Sequence, residues 1–194
     1  MDEYTPKQDE PDYPDDSPDT DNASDDVADD VAQPPQPVNW NLLSADDLEA
    51  EWLALNDWVA WLRRTYGLPA SVLPPFWHRH PELMWELSAL HLHWLCAYDP
   101  EQNGSAPAGW HRDFAEARNR LREWVAASGT RLDRDRHTRQ TVWPGEDPAP
   151  PVEDVIIADR GEDFVEFVFE QVESRREAEE AFFRTLDEHT GEVT

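Results

Sequence analysis

His78, His80, His91, His93, Cys96, His111 and His137 are the side chains of this sequence that could carry metal or nucleophilic chemistry. Zinc needs three or four N, S or O ligands converging at about 2.0–2.3 Å, and ligands carried on one helix fall at i,i+3 or i,i+4. His91 and His93 are two apart and point to different sides of a helix, whereas His93 and Cys96 fit the spacing. A metal or thiol cluster would therefore be drawn from His80, His93, Cys96, His111 and His137. The competing expectation is a structural thiol and histidines bonded to backbone carbonyls or capping helices, since free cysteine packs as a small hydrophobe. That expectation is the better supported one, and it implies no metal and no cofactor.

Catalysis asks for more than residue types. A nucleophile, a base and an orienting group must meet within hydrogen-bond reach. Cys96 with His93 or His111 could form such a pair, but no Gly-rich phosphate loop, nucleophile elbow or HExxH accompanies them. The reading is a chain that is not an enzyme. A lone cysteine also excludes an intrachain disulfide.

The elements that must hold these residues are helices. Leu48, Trp52, Leu55, Val59, Leu62 and Tyr66 recur at three- and four-residue spacing, predicting a helix from Ser44 to Tyr66 with Ser44 as its cap and Gly67 as its left-handed stop. Trp58 and Trp61 widen its apolar face, so more than one side of it should be covered. Pro81 opens a second helix to about Tyr98, apolar almost all round and so the central one. A third, from about Pro107 to Ser128, turns Trp110, Phe114, Ala117, Leu121 and either Trp124 or Val125 inward. Thr130 onward has little apolar periodicity and four prolines up to Pro151. Val155-Ile156-Ile157 could form a short strand or simply dock. A fourth helix spans about Glu162 to His189, its apolar positions being Phe164, Val168, Val172, Phe182, Phe183 and Leu186.

The fold expected is all-α: a small three-helix core, an acidic C-terminal helix and a disordered acidic N-terminal tail. Its parts are a tail at 1–38, a Trp-rich helical domain at 39–137, a Pro-rich linker at 138–154 and an acidic amphipathic helix at 155–194. The charge follows these divisions. Of the net −27, residues 1–38 carry −12, residues 39–140 only −3 and residues 141–194 another −12. The tail has seven prolines and little apolar material, too little to offset ordering entropy. Neither a basic-then-apolar leader nor a run of about 18 apolar residues occurs. The expected location is cytoplasmic, without membrane contact.

Two surfaces could meet partners. Most of the ten tryptophans fall on inward stripes, but Trp40, Trp61, Trp77 and Trp143 do not, and with Phe182 and Phe183 they are the candidate protein interface. Arg112, Arg118, Arg120 and Arg122 form a candidate nucleic-acid patch within a stretch, 112–139, of net +3. These arginines could instead pair with Asp113, Glu116, Glu123, Asp133 and Asp135. The acidic last helix is a third option: Phe164, Val168 and Val172 would dock on the core and bring Glu166, Glu170 and Glu173 over the arginines. An unidentified protein is the expected partner, with nucleic acid possible, bound or mimicked.

LPPFWHRHPELMWELSALHLHWLCAYDP, then GWHRDF and RLREW, resembles an actinobacterial domain-of-unknown-function family numbered 4913, found on plasmids, conjugative elements and phages. The resemblance covers about residues 68–137 and rests on Trp77, His80-Pro81, Glu86-Leu87, Trp94, Tyr98, Trp110-His111 and Leu121 to Trp124. It implies an origin on a mobile element and no particular activity. Members often carry a Cys near the end of the third helix with a His after it, where this chain has Ser128 and His137. The resemblance therefore brings no metal site with it.

Overall fold

A computed structural model describes residues 35–149 and 151–190. The protein is mostly α-helical, with α1 at Ala45–Tyr66, α2 at Pro81–Ala97, α3 at Ala106–Ser128 and α4 at Arg160–Thr190. The expected tail lies outside the described residues except for 35–38, where Val38 packs against the core.

Each helix begins and ends for local reasons. Ser44 Oγ accepts the Asp47 amide at 3.1 Å, and Gly67, at φ 58°, lets the amides of Gly67 and Leu68 return to the Arg63 carbonyl. Pro81 starts α2 where its missing donor costs nothing, and Gly129, at φ 76°, stops α3. Residues 68–80, rich in proline, form turns and a 3-10 turn at Trp77–Arg79 that packs on α2.

The buried stripe of α1 is Leu48, Trp52, Leu55, Trp58, Val59 and Leu62. α2 packs against both α1 and α3, the central place expected of a helix apolar nearly all round. α3 faces it with Trp110, Phe114, Ala117, Leu121 and Val125, and Trp124 stays 43% exposed. Of the two inward candidates at that turn, Val125 is the buried one.

The segment after α3 has more order at its start than its composition suggests. Thr130 and Asp135 are buried, and β1 (Arg134–Asp135) pairs antiparallel with β2 (Val155–Ile156), Arg134 opposite Ile156. Arg136 Nε reaches Asp154 at 2.5 Å beside this short ladder.

α4 runs antiparallel to α1. Arg160 at its start bonds to Asn56, and Glu179, five turns on, accepts the Ala45 amide at 2.9 Å. Phe164, Val168 and Val172 are buried as their spacing predicts. Trp52 contributes much of the surface that α4 covers: its ring meets Phe167 at 5.3 Å and Phe164 at 6.5 Å between centroids. The expectation that α4 would cover the arginines of α3 is corrected. α4 packs on α1, α3 packs on α2, and Glu173 pairs with Arg176 in its own helix.

Candidate functional site

The histidines and the cysteine do not assemble into one cluster. His93 Nε2 meets Asp113 at 3.0 Å across α2 and α3, the Tyr98 hydroxyl lies 3.4 Å from His111, Cys96 is half-buried and His137 is exposed. Among the described residues no group of three His, Cys, Asp or Glu side chains is placed to hold a metal. The structure does not bring the candidate metal or thiol cluster together: His80 stands at the head of α2 and His93 and Cys96 further along it, whereas His111 lies on α3 and His137 in the segment after α3.

His80 is the exception in depth. It is fully buried, caps the start of α2, and its Nε2 donates to the equally buried Asp135 of β1 at 2.7 Å. Its Nδ1 lies 3.4 Å from Thr138 Oγ1, whose hydroxyl donates to Glu82. Burial acts to raise the Asp135 pKa, but the bond and charge of His80, helped by the Thr130 hydroxyl and the Arg136 amide, outweigh it and hold the carboxyl below its ordinary range. The pair ties β1 to the head of α2.

A second buried network was not visible in the sequence. His78 Nε2 donates to Asp163 Oδ2 at 2.9 Å, and Arg79 grips the same carboxylate through Nη2 at 2.5 Å and Nε at 3.1 Å. Burial pushes the His78 pKa down to about 4 against the bond and charge of Asp163, with Arg160 and Arg79 adding repulsion. The ring is thus neutral at pH 7, with Nε2 carrying the proton. It lies edge-on to Phe164 and Phe167, at 5.2 and 5.1 Å. The network joins the 3-10 turn to the first turn of α4, residues 84 and 85 apart in the chain. Spacing could not have found it.

The aromatic candidates divide by depth. Trp40 is 4% exposed and donates from Nε1 to Ser88 at 3.0 Å, and Trp77 is 2% exposed. Both are core and are corrected as interface residues. They fall off the helical stripes because they stand in connections, which fold back over the bundle. Trp61 is half-buried in a row with Trp58, Trp94 and Tyr66. Trp143, Phe182 and Phe183 are 70%, 60% and 61% exposed.

The arginine patch has local partners. Arg120 grips Glu86 of α2 at 2.7 Å, Arg112 meets Asp113 at 3.2 Å, Arg122 bonds to Asn119 and Arg118 lies over Phe114. Two of its four guanidiniums therefore face carboxylates.

Towards its C-terminal end, α4 runs past the start of α1. The Arg175 guanidinium donates to the carbonyls of Trp40, Asn41 and Leu43, and Arg176 pairs with Asp46 at 3.3 Å. These contacts place the start of α1 beside residues 175–179. The helix then continues to Thr190, an overhang of roughly 16 Å at 1.5 Å per residue. Phe182 and Phe183 stand on it as an edge-to-face pair, centroids 5.8 Å apart.

The structure is that of a mostly α-helical protein in which two buried histidine–carboxylate pairs tie separate segments together and two aromatic rings near the end of the last helix are exposed. No family model, no curated protein and no solved structure matches this chain. Among the described residues no helix is long and apolar enough to cross a membrane.

Proposed function

We propose that this chain is a non-enzymatic accessory protein of an actinobacterial mobile element and that it works by binding another protein through the overhanging end of α4. The observation that carries the reading is the pair Phe182 and Phe183, about 60% exposed on α4 beyond its described contacts with the start of α1. A helix presenting exposed apolar side chains is a common recognition element, read by a groove on the partner. Residues 177–190 hold five acids and one base, so the groove that fits is apolar with a basic rim.

The test uses the full chain and the proteins encoded beside its gene, measured pairwise by calorimetry. Replacing Phe182 and Phe183 with Ser should weaken the cognate pair at least about tenfold, the loss typical of truncating an aromatic anchor. The melting temperature should stay unchanged because neither ring is buried. A partner that binds both forms equally refutes the reading. So does a wild-type chain that sediments as a dimer and a double variant that sediments as a monomer, since the rings would then bind a second copy.

A further inference from the structure

The connection between α1 and α2 borders a partly open cavity of about 510 Å³ against α1 and the start of α4, within the size range of small-molecule sites. Its walls are mostly apolar, with Pro74, Pro75 and Trp77 on one side and Leu132 at the rim. Only two lining residues are charged, and both are arginines, Arg63 and Arg160. No acidic residue lines it, in a chain with 43 acids and 16 bases.

Elsewhere in the fold guanidiniums meet carboxylates: Arg79 with Asp163, Arg120 with Glu86, Arg136 with Asp154 and Arg176 with Asp46. Arg160 does not. Its Nη2 donates to Asn56 Oδ1 at 2.5 Å, its Nε donates to the Pro75 carbonyl at 3.3 Å, and its plane lies 4.9 Å over Phe164. These neutral acceptors orient the fork without neutralising it. Asp163, the carboxylate whose field it feels, is already engaged by Arg79 and His78. Burial lowers the Arg160 pKa, the Asp163 charge opposes it and the nearby charge of Arg63 adds to it, so the guanidinium is only partly compensated. Arg63 is exposed and joins no ion pair or side-chain hydrogen bond among the described residues.

We propose that this cavity binds a small organic anion, an aliphatic or aromatic carboxylate whose body fills the apolar space and whose head group lies between Arg63 and Arg160. Planar carboxylates suit the guanidinium fork, and the charge missing from the lining is the one they supply. The site is independent of the α4 overhang and of any partner bound there.

Calorimetry on the full chain with 4-phenylbutyrate, its neutral primary amide and inorganic phosphate tests it. The carboxylate should bind with a submillimolar Kd, and the amide at least about tenfold more weakly. Phosphate, which has no apolar body, should bind more weakly than the carboxylate by a similar factor. Arg63→Gln should weaken the carboxylate about tenfold with an unchanged melting temperature, because the replaced side chain is exposed and unpaired. Arg160→Lys, which keeps the charge and loses the fork, should also weaken it. Equal binding of acid and amide, binding indifferent to Arg63→Gln, phosphate binding as tightly as the carboxylate, or no heat at any millimolar concentration would each overturn the proposal.

Discussion

Acid should loosen this fold through His78 before it reaches the buried carboxylates. His78 is 2% exposed and its pKa is pushed down to about 4, whereas an unfolded chain titrates it near 6.5. The unfolded form therefore takes the proton first, and stability contributed by the neutral ring is complete above pH 6.5 and lost as pH falls from there to about 4. A difference of that size corresponds to about 3 kcal/mol. Asp163 and Asp135 have lowered pKa values and act in another window: their contribution is present above the unfolded carboxylate range and is lost below it. Urea unfolding followed by tryptophan fluorescence should be run at closely spaced pH values on the wild type and on His78→Gln, which keeps an N–H donor for Asp163. His91, whose pKa burial also lowers, is present in both chains and cancels, as does relief of the overall negative charge. The wild-type-minus-variant stability should be flat above pH 6.5 and fall by about 3 kcal/mol by pH 4. A change below about 1 kcal/mol over that interval would mean that the buried ring accepts a proton without strain, and the account of the network would fail.

Two further substitutions probe the packing directly. Phe164→Ala removes a ring set between Trp52, Trp77 and His78 and should cost about 3–5 kcal/mol in denaturant unfolding; a loss under 1 kcal/mol would show that α4 is not held by that ring. Ser44→Ala deletes the acceptor for the Asp47 amide and should cost about 1 kcal/mol by the same measurement, with no change indicating that another group caps α1.

Much of the helical framework could be read from periodicity and caps. Ser44, Gly67, Pro81 and Gly129 mark helix ends because each answers a local backbone need. The docked positions of α4 were legible too, since Phe164, Val168 and Val172 share one face at 3.6 residues per turn. The neighbour chosen by that face was not. A stripe states which side is buried and leaves open against what, and here the wide indole surface of Trp52 on α1 contributes much of it. Trp40 and Trp77 were misplaced for a related reason: outside a helix there is no period by which to count, and burial depends on how connections fold back. The His78, Arg79 and Asp163 network and the Arg63 and Arg160 cavity join segments tens of residues apart, so no local pattern announced them. Trp143 was legible as a surface candidate because it lies beyond the regular core stripes, whereas Phe182 and Phe183 share the apolar positions of α4 and the structure exposes them because α1 begins before the helix reaches them.

The antiparallel seat of α4 on α1 also sets an order in time. The contacts of α2 with α3 join residues 20 to 34 apart, as in Trp110 with Leu90 and Arg120 with Glu86. Those of α4 with α1 and the segment before it join residues 104 to 135 apart, from Arg160 with Asn56 to Arg175 with Trp40. Closing the longer loop costs roughly 1 kcal/mol more in chain entropy, and it must be closed before its contacts give anything back. The α2–α3 hairpin is thus expected to condense early and α4 to arrive last, an order that folding and unfolding rates of Phe164→Ala would check. Interactions formed after the rate-limiting step govern how fast a protein comes apart, so Phe164→Ala should speed unfolding more than it slows folding.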